Sequence, residues 1–220
     1  RNAGIVRDSA AAAAIRVRNF NGQPFRPGDM AIVDIDGDSV ITLNDRTVIG
    51  DPTPRFTLGL TNTFSWKGIE LTGLLQGNFG GKILNVNRLR TESSPRVNVA
   101  RDRWLDRWTP DNPDARFPRI GENPNQVGTN NFTDNLLEDG SFIRLRTLTL
   151  SYVVPRALLQ RVNATGARLY VTGTNLWTQT DYSGFDPDVS AQSVGNTNRG
   201  IDIGAYPLAK AVTLGLSLNY

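Results

Sequence analysis

Carboxylate side chains recur at alternate positions in one short segment of the chain, residues 34–45, which reads D-I-D-G-D-S-V-I-T-L-N-D. In a twelve-residue calcium loop, the ligands at positions one, three, five, seven and twelve are here Asp34, Asp36, Asp38, the carbonyl of Val40, and Asp45. This spacing brings hard oxygen ligands together on one cation. The segment predicts a structural Ca²⁺ site, and the sequence requires no other cofactor.

Two departures separate this segment from an EF-hand. Position six is Ser39 where glycine is usual, and Asp45 replaces the longer glutamate at position twelve. The flanking residues also lack a helical pattern. The alternative to a calcium site is an acidic turn that is simply solvated.

Aromatic side chains suggest a second kind of site. Trp104 and Trp108 are four residues apart, among arginines and aspartates, and Tyr182 and Phe185 lie in a later polar segment. Aromatic rings beside Arg and Asp can stack on a sugar or a peptide and hydrogen-bond to it. We therefore name these four residues as candidate ligand contacts. The alternative for Trp104 and Trp108 is that the pair forms a small core within its own loop.

The composition excludes several classes of function. The chain has no cysteine and no histidine, which removes disulfides, thiolate metal sites and the commonest general base. No nucleophile–base pair is evident, so we do not expect an enzyme. The net charge of +3 comes with scarce lysine and no basic run, so no nucleic-acid partner is expected.

The elements that must position these residues are strands. In residues 211–220 the apolar side chains alternate strictly with small or polar ones, a period of two that gives an extended strand two different faces. Similar patterns occur earlier, and the predicted strands are 55–66, 69–79, 142–153, 168–177 and 211–220. The fold class is therefore all-β.

The lengths of these strands and of their connections favour a membrane barrel. Twelve residues at ~3.3 Å each, tilted by ~40°, span ~30 Å along the membrane normal. Lys67-Gly68 is a two-residue hairpin signal, whereas residues 80–140 and 178–207 are long connections. Short turns on one side and long extracellular loops on the other are typical of an antiparallel transmembrane β-barrel.

One predicted strand has an irregular pattern. In residues 142–153 the apolar positions are odd-numbered at Ile143 and Leu145 but even-numbered from Leu148 onward. Either a β-bulge near Arg146 and Thr147 or a strand that starts above the membrane accounts for this change of phase.

Several segments together resemble one family, the SusC/RagA-type TonB-linked (TonB-dependent) outer-membrane proteins. The segments, in chain order, are G-D-M-A-I-V-D-I-D-G-D-S-V-I-T-L-N-D-R-T-V-I-G-D-P-T-P (28–54), K-G-I-E-L, R-W-T-P-D-N-P (107–113), L-E-D-G-S-F-I-R-L-R-T-L-T-L-S-Y (137–152), N-L-W-T-Q-T-D-Y-S-G-F-D-P-D-V (175–189) and the Y-P-L…Y terminus. The resemblance covers nearly the whole chain from residue 28 onward, and the ordered set is more specific than any one segment.

This resemblance implies a plugged barrel of about 22 strands in the bacterial outer membrane. Such a protein imports nutrients, typically glycans or peptides, with energy passed through the TonB complex. A SusD-like surface lipoprotein caps it. The family's substrate contacts are spread over loops and plug, so the resemblance assigns no specific ligand residue.

Within that architecture we expect two regions. Residues 1–54 are assigned to an extracellular loop region that contains the calcium-loop-like segment, and residues 55–220 to the carboxy-terminal part of the barrel. The lipid bilayer and the rest of the same barrel are then partners of these strands. The plug is expected to be absent from this chain, which begins at Arg1 without a methionine and is expected to be a processed protein or a fragment.

Two other functions remain open on the residues alone. The first is a secreted or surface all-β module, stabilised by calcium, that binds carbohydrate. The second is a structural component of an outer-membrane complex without transport activity. A soluble module would bury the apolar strand faces against each other, whereas a barrel leaves them as an outward belt.

Overall fold

The computed structural model describes residues 1–93, 98–121, 133–159, 164–189 and 199–220. The strands are β1 (Asn2–Ile5), β2 (Met30–Ile32), β3 (Phe56–Trp66), β4 (Ile69–Phe79), β5 (Lys82–Asn85), β6 (Leu137–Asp139), β7 (Phe142–Val153), β8 (Gly166–Thr180), β9 (Ile201–Asp202) and β10 (Ala211–Asn219). The helices are α1 (Ser9–Ala14), α2 (Val86–Ser93), α3 (Arg101–Leu105) and α4 (Arg156–Leu159), with 3₁₀ turns at Leu43–Asp45 and Asp134–Leu136. Among the described residues, no helix has both the length and the apolar character needed to cross a membrane.

The largest sheet is an antiparallel meander of five long strands in the order β10-β8-β7-β4-β3. Strands β3 and β4 form a hairpin around Lys67 and Gly68, whose φ angles of 47° and 84° suit the tight turn. Strand β8 is longer than the predicted 168–177. Gly173 interrupts the side-chain pattern there, but its backbone stays paired with Leu148 and Val212.

The two faces of this sheet differ in chemistry. One face, here called the apolar face, carries most of the leucines, at alternate positions along each strand. The opposite face, here called the polar face, has a row of five threonines, one on each strand: Thr63, Thr72, Thr149, Thr172 and Thr213. Neighbouring hydroxyls hydrogen-bond at 3.1 Å between Thr63 and Thr72 and at 2.9 Å between Thr149 and Thr172. Cross-strand rows of this kind stabilise the pairing register.

A β-bulge at Arg146 accounts for the irregular pattern in β7. Leu145 pairs with Leu75 and Thr147 pairs with Leu74, so that Arg146 has no opposite residue on β4. The extra residue shifts the alternation by one, and the leucines before and after it share one face.

The chain divides into two compact units. One consists of Arg1–Asp51, Ile83–Glu138 and Ala191–Gly204, and the other of Pro52–Lys82, Asp139–Ser190 and Ala205–Tyr220. The second unit contains the five-stranded sheet. The first contains the antiparallel pair of β1 with β2 and most of a small sheet in the order β6-β5-β9.

The first unit has its own hydrophobic core, formed by Val6, Phe25, Ala31, Ile32 and Ile41. Ala11 and Ala12 of α1 pack against this core. The helix is short but capped, because the Asp8 side chain accepts a hydrogen bond from the backbone N–H of Ala11 at 2.7 Å. The amino-terminal segment therefore folds around buried apolar side chains.

Candidate functional site

The acidic loop brings three of its predicted ligands together. One carboxylate oxygen from each of Asp34, Asp36 and Asp38 lies within 4.8 Å of the others. Each carboxylate also accepts hydrogen bonds from the loop backbone, as Asp34 does from the N–H groups of Gly37 and Ser39 at 2.7 and 2.8 Å. Clustered oxygens are the donor set that Ca²⁺ prefers, so the loop suits the cation, while exposed acidic turns use the same backbone bonds without one.

Ser39 supplies the backbone conformation that position six of a calcium loop needs. Its φ angle is 67°, in the left-handed region where glycine is favoured, and Gly37 has a φ of 80°. The residue type at position six therefore differs from the calcium-loop pattern, whereas its backbone conformation matches that pattern. Position seven, Val40, pairs with Arg18 in an isolated bridge, and its N–H donates to Asp38 at 2.8 Å.

Asp45, the predicted ligand at position twelve, is buried and bonded to the loop backbone. Its two carboxylate oxygens accept from the N–H groups of Ile35 and Thr42, both at 2.7 Å. Burial raises the pKa of Asp45, but the hydrogen bonds that its carboxylate accepts from the backbone of Thr42, Ile35 and Asp36 outweigh this effect, and the net pKa lies below the usual value. Through its bonds to Ile35 and Thr42, the Asp45 carboxylate connects the two ends of the loop.

The two candidate tryptophans have different environments. Trp108 packs its ring against Gly28 and donates its indole N–H to the backbone oxygen of Arg7 at 2.8 Å. Trp104 is 51% exposed, and the guanidinium of Arg107 lies 3.9 Å from its ring centroid. Trp108 therefore has a structural role in its unit, whereas Trp104 offers an open aromatic surface.

The other two aromatic candidates also differ. Tyr182 is 5% exposed, with its ring against Gly184, whereas Phe185 is 81% exposed. Of these two candidates, Phe185 is the one that can meet a ligand from solvent.

Sequence reasoning missed a buried charge cluster on the polar face of the sheet. Arg144, on β7, has the largest side chain that is fully buried among the described residues. It donates to Asp186 at 2.5 Å and to Thr178 at 3.0 Å. Asp186 also accepts from the backbone N–H groups of Asp188 and Leu208, at 2.9 and 3.1 Å. The available signal was an arginine at an otherwise apolar strand start together with a D-P-D sequence, but nothing in the spacing connects the two.

Comparison with known proteins decides the family. No protein-family model matches the chain. It is 35% identical over 198 residues to TonB-dependent receptor P3 of Formosa agariphila, a match that covers 88% of this chain. It is 26% identical over 207 residues to TonB-dependent receptor SusC of Bacteroides thetaiotaomicron, covering 93% of this chain.

Solved structures agree with these relatives. The structure of the RagAB peptide importer in the "open-open" state superposes with a TM-score of 0.73, at 26% identity over 100% of this chain. A second structure, of the RagAB peptide transporter, gives a TM-score of 0.71 at 28% identity. The chain belongs to the SusC/RagA-type TonB-dependent receptors.

The chain spans about a fifth of the length of the relatives that it matches. It spans 19% of the two curated relatives and 22% of the two solved chains. The predicted family and the all-β antiparallel barrel fold are confirmed, and the five-stranded sheet forms part of the receptor's barrel. The relatives are named as receptors and transporters, in agreement with the prediction that the chain is not an enzyme.

Proposed function

We propose that the chain is part of an outer-membrane transporter that imports nutrients across a TonB-dependent barrel. The observation that carries this proposal is the contrast between the two faces of the long-stranded sheet. Leu214 and Leu216 of the apolar face are 80% and 57% exposed, while the threonine row runs across the opposite face. In a barrel wall, the apolar face meets lipid and the polar face lines the lumen.

The relatives support a substrate class and partners for the whole protein. RagAB is named a peptide transporter, so peptides are the first class to test and glycans the second. We propose that a SusD-like surface lipoprotein caps the barrel and that the TonB complex supplies energy through parts of the receptor outside this chain. The bilayer and the remaining strands of the barrel complete the surroundings of the sheet.

The exposed leucines argue against a soluble carbohydrate-binding module. Such a module would bury its apolar strand face in a core, yet Phe56, Leu60, Leu214 and Leu216, which all lie on the apolar face of this sheet, are exposed. A structural component of a membrane complex has the same two-faced sheet as a transporter, so only a transport measurement separates these two functions.

The orientation of the last strand is tested with spin labels in the full-length protein reconstituted in membranes. Labels at positions 214 and 216 should be accessible to a lipid-soluble relaxation agent. Labels at positions 213 and 217, on the alternate face, should not be. If the labels at 214 and 216 are shielded from lipid by protein, the barrel orientation is wrong.

Transport itself is tested in cells that carry the full-length receptor. Uptake of labelled oligopeptides and of labelled oligosaccharides should be compared with and without the receptor, and again after the proton-motive force is collapsed. Receptor-dependent uptake that stops on collapse supports a TonB-dependent importer. A correctly inserted receptor that takes up neither class despite an intact proton-motive force favours the structural role.

A further inference from the structure

Two arginines of β7 point one guanidinium nitrogen each toward the same carboxylate oxygen. The Nη1 atoms of Arg144 and Arg146 both lie 3.7 Å from Oδ2 of Asp188. These separations are longer than the ~2.7–2.9 Å of a charge-assisted hydrogen bond. Both Nη1 atoms are buried, and neither has a hydrogen-bond acceptor within the described part of the chain.

The two aspartates of the D-P-D sequence have different roles. Asp186 is 8% exposed, and its carboxylate accepts from Arg144 and from two backbone N–H groups. The Asp188 side chain is 40% exposed and makes only the two long ion contacts among the described residues. Hydrogen bonds therefore fix the Asp186 carboxylate beside Arg144, whereas the Asp188 carboxylate interacts with the two arginines only through charge at longer distance.

The charges of this cluster balance only while Asp188 is present. Arg144 is paired with Asp186, which leaves Arg146 with Asp188 as its carboxylate. Guanidinium N–H groups that are buried without acceptors favour an anion that can approach closer than Asp188 does. A planar carboxylate matches donors from two guanidinium groups.

We propose that the Nη1 groups of Arg144 and Arg146 form a carboxylate-binding site that Asp188 fills in this structure. A carboxylate of an incoming solute replaces Asp188 at the two guanidinium groups. Phe185, three residues before Asp188 and 81% exposed, offers an apolar surface in the same segment. The identity of the competitor as a transported solute rests on the proposed function, but the binding site itself does not.

The test measures binding of succinate to the purified full-length receptor in detergent by calorimetry, with neutral succinamide as the matched probe. The key variant is Asp188→Asn, which removes the competing charge and keeps the backbone N–H that donates to Asp186. We expect Asp188→Asn to bind succinate at least tenfold more tightly than the unchanged receptor does. We expect no measurable binding of succinamide to this variant. The control is Asp181→Asn, an exposed aspartate of the same segment, which should leave the affinity unchanged.

A second pair of variants keeps the test decisive if Asp188→Asn disturbs the fold. Arg146→Gln should weaken succinate binding at least tenfold in the unchanged background, and in the Asp188→Asn background it should cancel the gain. Arg156→Gln removes an exposed arginine outside the cluster and should have neither effect. Equal succinate affinities in Asp188→Asn and Asp181→Asn, or binding that survives Arg146→Gln, would overturn the proposal. Because binding is measured without uptake, the two proposals can fail separately. A failed transport assay does not contradict the carboxylate site, and a failed binding assay does not contradict the transport function.

Discussion

The ring of Tyr170 lies against the backbone of Gly215, its cross-strand partner on β10. A Cβ atom added to Gly215 would stand 2.0 Å from Cζ of Tyr170, far inside the ~3.5–4.0 Å at which carbon atoms pack. The absent side chain is what lets a large ring lie against the neighbouring strand. Glycine at this position therefore belongs to the packing of the polar face.

We predict that Gly215→Ala destabilises the full-length protein by about 1–3 kcal/mol, because the added methyl group forces the Tyr170 ring away. Urea unfolding of the barrel in detergent measures this change in the free energy of unfolding. Gly59→Ala is the control, since it adds the same methyl group on β3 where nothing lies within 4 Å. Equal losses in both variants would mean that the Tyr170 contact is unimportant.

A second prediction concerns the buried pair of Arg144 and Asp186. Arg144→Leu should destabilise the protein by about 3–5 kcal/mol, because it leaves the Asp186 carboxylate buried without its cation. The double variant Arg144→Leu/Asp186→Leu should lose less than the single one, since no uncompensated charge remains. Unfolding free energies of the two variants make the comparison.

The neighbouring bulge residue provides the control for this pair. Arg146→Leu removes a guanidinium that is 40% exposed, so we expect a loss below about 1 kcal/mol. If Arg146→Leu lowers the free energy of unfolding as much as Arg144→Leu does, the loss comes from replacing any arginine of β7 and not from leaving the Asp186 carboxylate buried without its cation.

The strands could be predicted from the sequence, whereas the charge cluster could not. Period-two alternation is a local signal, and the predicted bounds 69–79 and 142–153 coincide with β4 and β7. The bond between Arg144 and Asp186 joins residues 42 positions apart, and it depends on how β7 and the segment after β8 pack. Ser39 illustrates a second limit, because a left-handed conformation at a serine follows from the closed loop and not from the residue's own preference.

The two tryptophans give a third prediction. Trp108→Ala should destabilise the unit that contains it by about 1–3 kcal/mol, since the half-buried ring packs on Gly28 and its N–H is bonded to the backbone of Arg7. Trp104→Ala should change stability little, because that ring is half exposed. Limited proteolysis of the full-length receptor compares the two variants. If Trp104→Ala opens this unit as readily as Trp108→Ala, its exposed ring is a structural element and not a free binding surface.

The pKa of Asp45 gives a pH dependence with a defined sign. Its pKa in the folded protein lies below the usual value of about 3.9. The carboxylate therefore stabilises the loop fully above that value, and this stabilisation is lost as the pH falls through the lower pKa of the folded state. We expect hydrogen-exchange protection of the Ile35 and Thr42 amides, corrected for intrinsic rates, to decrease from about pH 4 downward.

Two variants separate this effect from general acid unfolding. Asp45→Asn should already have low protection at neutral pH and a flat profile, because its side chain cannot become a carboxylate. Asp38→Asn, which leaves the bonds to Ile35 and Thr42 intact, should retain the acid-dependent decrease. An unchanged profile in Asp45→Asn would assign the decrease to another group.

The calcium prediction for the acidic loop is tested through Ser39 and the three clustered aspartates together. If Asp34, Asp36 and Asp38 hold Ca²⁺, the cation should protect the loop from proteases, and replacing all three with asparagine should remove that protection while the barrel still inserts.

Ser39→Gly should keep calcium binding and stabilise the loop by about 1 kcal/mol, because glycine adopts the observed φ of 67° without the strain of a Cβ. Protease resistance that is the same with and without Ca²⁺, and that survives in the triple variant, would identify the segment as a solvated acidic turn. In that outcome Ser39→Gly should still stabilise the loop, since the backbone strain does not depend on the cation.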